Sequence, residues 1–185
     1  MEDTVSGGVE SAVVADMTGE ISTEGAIYSG DNVALFLTFV LGSDLFGIQV
    51  SDIREVIEYK KIFRIPRVPD YILGVINLRG EVVPIVDLYS RFYNHKCNAN
   101  NSASVVVVEI DDDNQKVPIG IVIDSVKSVT ELNQNTIEAV PEIGSRIRSD
   151  FIDGIGKLED QFVILLKIQN ILNIEELSNI NEGIN

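Results

Sequence analysis

Residues 69–88 read P-D-Y-I-L-G-V-I-N-L-R-G-E-V-V-P-I-V-D-L, and no other stretch limits the fold as much. Two apolar runs, 72–78 and 82–86, flank Arg79-Gly80-Glu81. Runs of this length on either side of a glycine-bearing turn specify a β-hairpin. Gly80 supplies a backbone conformation that a side chain would penalise. The turn needs that glycine, yet it does not need a guanidinium beside it. Arg79 is therefore a candidate recognition residue held at the tip of rigid strands; the plainer alternative is a solvated turn arginine.

Around this hairpin the chain reads as short strands. Residues 35–41 and 45–48, joined at Gly42-Ser43-Asp44, form an opening hairpin. Ser51 or Asp52 is placed to cap a helical turn before Ile53, and residues 56–59 resume a strand. Pro66 and Pro69 suit strand edges. Asp87 is placed to cap a short helix through Phe92. The Asn-rich stretch 94–104 reads as a loop separating two halves. Strands follow at 105–108, 117–123 and 126–132, and a short helix is expected near Arg146. A last hairpin spans 151–166, and residues 168–180 read as a closing amphipathic helix. Roughly ten short strands at this spacing predict a mainly β fold, and the polar break favours two small barrels over one large one.

Residues 1–32 hold seven carboxylates (Glu2, Asp3, Glu10, Asp16, Glu20, Glu24, Asp31) and no Lys or Arg. Such a segment buries too little apolar surface to offset ordering entropy, so it is expected to be a disordered acidic tail, with residues 181–185 a short C-terminal one. The net charge of −15 argues against binding nucleic acid, which requires clustered cations, and against an anionic membrane surface. Eight of the 14 basic residues lie between Arg54 and Lys96. Cys97 is the only cysteine, which excludes an intramolecular disulfide and suits a reducing cytoplasm. No secretory signal opens the chain, and the apolar runs are strand-length.

Residues capable of chemistry are few. His95 and Cys97 share the polar loop, but a zinc site needs more ligands and a catalytic dyad needs rigid placement. Gly154-Ile155-Gly156-Lys157 lacks the earlier glycine and following hydroxyl of a phosphate loop, so these glycines are expected to permit a bulge or close strand packing. Asp111-Asp112-Asp113 lacks the alternating ligands of a calcium loop and reads as a turn. No nucleophile motif or distinguished carboxylate pair is present, so the chain is expected not to be an enzyme and to need no cofactor or metal.

The run Gly74-Val75-Ile76-Asn77-Leu78-Arg79-Gly80, followed by Val83-Pro84-Ile85-Val86-Asp87-Leu88, resembles the signature of the CheW-like domain. The resemblance extends over roughly residues 33–177, including the F-x-L-x-x-x-x-F-G-I pattern of the opening hairpin and Gly120-Ile121-Val122-Ile123-Asp124. It implies a domain over 33–180 made of two five-stranded β-barrels sharing a hydrophobic core. It also implies a non-catalytic adaptor, cytoplasmic and recruited to membrane-associated arrays. Such adaptors join the cytoplasmic tips of methyl-accepting chemoreceptors to the regulatory domain of the histidine kinase CheA. The receptor-facing positions then fall on Ile53, Glu55, Val105 and Val129, with Ile53 filling a groove of an amphipathic partner and Glu55 selecting register. The alternative for these two is a core isoleucine and a solvated strand carboxylate. Kinase binding and coupling fall on Arg79, with Gly74 and Gly80 shaping its hairpin.

Within this resemblance, length sets the chain apart from adaptors with an appended receiver domain and from a complete kinase. Two rivals stand beside chemotaxis coupling. One is an adaptor of another receptor–kinase pathway. The other is a small-molecule-binding β-barrel, which a ligand would stabilise thermally without any protein partner.

Overall fold

The computed structural model describes residues 32–94, 103–112, 114–140 and 147–172. The opening hairpin is β1 (Val33–Leu41) and β2 (Asp44–Gln49), and a 3-10 turn leads into β3 (Ile53–Glu58). The central hairpin is β4 (Ile72–Leu78) and β5 (Glu81–Asp87), followed by α1 (Leu88–Tyr93). Then come β6 (Ser104–Asp112), β7 (Gln115–Ile123) and β8 (Ser125–Asn133), and finally β9 (Ile152–Leu158), β10 (Gln161–Leu166) and α2 (Ile168–Ile171). The fold is mainly β, as the strand spacing predicts. Asp87 caps α1 as expected, its Oδ1 accepting from the Ser90 amide at 3.1 Å. Ser51 and Asp52 instead lie inside their 3-10 turn, and Gln49 before it makes no side-chain cap. The expected acidic tail, the C-terminal tail, the short helix expected near Arg146 and the part of the expected closing helix beyond Leu172 lie outside the described residues.

The strands form two five-stranded sheets, ordered β8-β1-β2-β10-β9 and β3-β6-β7-β5-β4. This corrects one expectation. The Asn-rich stretch does not separate the halves, because β5 before it and β6 after it belong to the same sheet. Polar composition between two strands carries no information on which strands pair. The second sheet is instead inserted whole between β2 and β8.

Within each sheet the pairings run antiparallel, antiparallel, parallel, antiparallel, so the two share one topology, cyclically permuted along the chain. The equivalence reaches single residues. Gly47 on β2 faces Leu165 across the parallel pair, and Gly120 on β7 likewise faces Ile85. Gly74 lies under a backbone bridge from the segment before β4 (Phe63 to Val75), and Gly154 under one from the segment before β9 (Glu138 to Ile155). Gly154 and Gly156 thus serve close strand packing, as expected: an added Cβ would come within 2.3 Å of Ile137 and 2.9 Å of Leu132.

Three buried clusters follow from this arrangement. The largest joins the sheets, with Leu37, Phe39, Phe46 and Ile48 from one, Ile72, Val86, Val106 and Ile121 from the other, and Phe92 and Ile171 from the helices. Each sheet also has its own smaller cluster: Ile76, Val83, Ile85, Val105 and Val107 in one, Phe36, Leu132, Val163 and Leu165 in the other. Alternate residues of one strand therefore enter different cores, which explains the near-continuous apolar runs of β6 and β7.

Candidate functional site

The central hairpin closes with two residues. Leu78 pairs with Glu81, and both Arg79 (φ 52°) and Gly80 (φ 89°) have left-handed backbones, the requirement of a type I′ turn. The Gly80 amide donates to Asn77 Oδ1 at 3.0 Å. Gly80 has open space around its missing Cβ, so its conformation alone explains it. Arg79 occupies a position that disfavours side chains by roughly 1–2 kcal/mol, and its partner accounts for the choice.

Arg79 Nη2 lies 3.3 Å from Glu55 Oε2 on β3. β3 and β4 are the two edges of their sheet, so the pair spans from one edge to the hairpin on the other. A second pair runs beside it: Arg54 Nη1 donates to Glu81 Oε2 at 2.8 Å. That hydrogen bond raises the already high Arg54 pKa further. The sequence order Arg54-Glu55 thus meets Arg79-Gly80-Glu81 with opposite charges matched at both positions. An irregularity in the β3–β6 register between Ile53 and Glu55 turns Ile53 with Val108 toward the inter-sheet core, while Glu55 pairs with Val107 on the face of the smaller cluster.

Glu55 is buried, its side chain 7% exposed, whereas that of Arg79 is 57% exposed. The second carboxylate oxygen, Oε1, is buried and has no hydrogen-bond partner among the described residues. A buried carboxylate that is only half satisfied is costly and depends on the cation that remains. At 3.3 Å the contact is also longer than the 2.7–2.9 Å typical of a charge-assisted bond.

The structure joins Glu55 to Arg79 but distributes the other expected residues. Ile53 and Val105 are core side chains, buried in different clusters, and neither presents surface. The expectation that Ile53 fills a partner's groove is therefore not met in this conformation, and Glu55 is not a solvated strand residue. Val129 is 39% exposed on the edge strand β8 of the other sheet, opposite Leu37 on the face turned toward the inter-sheet core. Gly74 (φ 138°) is a packing glycine, because an added Cβ would come within 2.1 Å of the Phe63 carbonyl oxygen. Phe63 and Val75 exchange two backbone hydrogen bonds of 2.9 Å at that point. Gly74 thus seats the β3–β4 connection on β4.

Sequence reasoning missed Arg54, Glu81 and Phe63. The reciprocal charge order of 54–55 and 79–81 is a signal, but only once β3 is known to approach the tip of a hairpin it does not pair with. Among the described residues, no group of three or more His, Cys, Asp or Glu is placed to hold a metal. Asp111 and Asp112 end β6 and Asn114 takes a left-handed turn conformation, in keeping with a hairpin turn. His95 and Cys97 lie outside the described residues. The site is a charged, partly buried junction between strands.

Comparison with known proteins identifies the family. Residues 35–176 match the CheW-like domain model. The chain is 34% identical to a chemotaxis protein CheW of Klebsiella aerogenes over 143 residues, covering 77% of this chain and 84% of that protein. It is 31% identical to a CheW of Helicobacter pylori over 142 residues, covering 77% and 83%. The crystal structure of the scaffolding protein TtCheW from Thermoanaerobacter tengcongensis superposes with a TM-score of 0.70 at 30% identity, covering 81% of this chain and 94% of that one. With the signature hairpin, the two-sheet topology and these similarities in agreement over the same residues, the chain belongs to the CheW-like domain family.

Proposed function

We propose that this protein is a non-catalytic chemotaxis scaffold that couples the cytoplasmic tips of methyl-accepting chemoreceptors to the regulatory domain of the histidine kinase CheA. The observation that carries this reading is the Glu55–Arg79 pair, which joins a position the family uses toward receptors to one it uses toward the kinase. A binder at either end changes the solvation of a half-satisfied buried carboxylate and so is felt at the other end. Val129 supplies exposed apolar surface on the receptor side, whereas Ile53 and Val105, buried in different clusters, are assigned to that side by the family resemblance alone. Arg79 and Gly80 present the hairpin to the kinase, and Gly74 fixes the segment beside it. In this role the protein acts in the cytoplasm and is recruited to membrane-associated arrays. No described helix is long and apolar enough to cross a membrane.

The test is a titration against the regulatory domain of CheA from the same genome, with and without a soluble receptor-tip fragment. Saturable binding that Arg79→Lys weakens supports the reading, because a lysine cannot reproduce the forked geometry of a guanidinium. No binding by a folded protein would move the assignment to another kinase pathway.

A further inference from the structure

The connection between β3 and β4 carries a feature that the coupling reading leaves unused. Residues 59–67 read Y-K-K-I-F-R-I-P-R: four cations, Lys60, Lys61, Arg64 and Arg67, with no acid among them, in a chain of net charge −15. All four cations are exposed, as are Tyr59 and Phe63, the latter at 59%. Glu58 and Asp70 flank the stretch, and none of the four cations makes an ion pair among the described residues. The segment is not a loose loop, because its centre is pinned at Phe63 by the two backbone bonds to Val75 over Gly74. Arg67 also takes a left-handed backbone (φ 64°) after Pro66, at a turn position that glycine or asparagine fills more easily. The result is a rigid basic ribbon with an exposed aromatic residue at its middle.

The same chain contains the complementary charge. Residues 1–31 carry seven carboxylates and no Lys, Arg or His, with an apolar Ala12-Val13-Val14 between the acids. We infer that residues 1–31 dock in cis on the ribbon 59–67, with carboxylates meeting Lys60, Lys61, Arg64 and Arg67 and the apolar stretch meeting Phe63. Reach does not limit this contact, since 31 residues can span up to roughly 100 Å. Tethering also presents the tail at an effective concentration of about a millimolar, so weak pairs suffice to occupy the ribbon. The contact does not depend on the identity of the receptor or kinase, and it makes the tail an internal competitor for any acidic partner of the ribbon.

The test uses the full chain in a Cys97→Ser background, with a nitroxide attached at Ser11→Cys and amide spectra recorded at two ionic strengths. Amides of residues 60–65 and 67 should lose more than about half their peak height at 10 mM salt, where the Debye length is roughly 30 Å, and recover at 1 M, where it is about 3 Å. Lys60→Glu/Lys61→Glu/Arg64→Glu should abolish the broadening, and so should Glu10→Gln/Asp16→Asn/Glu20→Gln/Glu24→Gln; unchanged β5 amides report that both variants are folded. Broadening elsewhere but not at 60–67, or broadening indifferent to salt and to both variants, would overturn the proposal. So would broadening of equal size when labelled and isotope-enriched chains are mixed, since the tail of a second copy would then be the occupant.

Discussion

The Glu55–Arg79 pair can be tested by a double-mutant cycle of Arg79→Ala and Glu55→Gln. At 3.3 Å and an effective dielectric of about 20, the attraction between the two charges is about 5 kcal/mol before solvent is considered. More than half of the Arg79 side chain faces water, which screens much of that field, so a coupling energy of about 1–2 kcal/mol is expected. Arg79→Ala alone leaves the buried Glu55 carboxylate with neither oxygen paired to its cation and costs the most. Replacing Glu55 by Gln removes the charge, so the added loss of Arg79 should then cost little. The left-handed backbone at residue 79 is strained equally by alanine in both backgrounds, so that contribution cancels in the cycle. Urea unfolding of the four proteins reads the coupling as a midpoint shift of roughly 0.5–1 M for a typical small-protein slope. Additivity within about 0.5 kcal/mol would show that the pair contributes nothing as a pair, and the account of Arg79 given above would fall with it.

Three further outcomes follow from the geometry. Gly74→Ala drives a methyl group into the Phe63 carbonyl and should cost about 3 kcal/mol or more, with loss of amide protection at Phe63 and Val75; Gly80→Ala, with open space around it, should cost only about 1 kcal/mol in the same unfolding assay. Asp87→Ala removes a buried cap from α1 and should lower stability by about 1–2 kcal/mol, and Asp87→Asn should recover part of the loss. Burial, together with Asp111 and Asp153, holds the Asp52 carboxyl above its ordinary pKa against the opposing pull of Lys116. The folded state then binds that proton more tightly than the unfolded state, so this group costs stability as pH rises from the ordinary carboxylate value through the raised one. Asp52→Asn should therefore be more stable than the wild type at pH 7, with the difference shrinking on acidification; a constant difference across that range would remove burial of Asp52 as its cause.

The central hairpin, the Asp87 cap, the strand count and the mainly β class could all be read from the chain, because each depends on neighbours within a few residues. Glycine punctuation, apolar runs and turn chemistry act locally, and the signature around Arg79 lies entirely within one hairpin. The resemblance carried by that hairpin also located Glu55, but it could not say that Glu55 and Arg79 touch. Tertiary structure decided that, together with the burial of Ile53, the insertion of one sheet within the other, and the service of Gly74 to Phe63. The shared topology of the two sheets was hidden for the same reason. It is permuted along the chain, so equivalent residues such as Gly74 and Gly154 sit in hairpins whose partner strands lie on opposite sides in sequence. Local propensity fixes which residues extend and which turn. Which strands become edges, and which charges those edges bring together, depends on long-range pairing that no local pattern records.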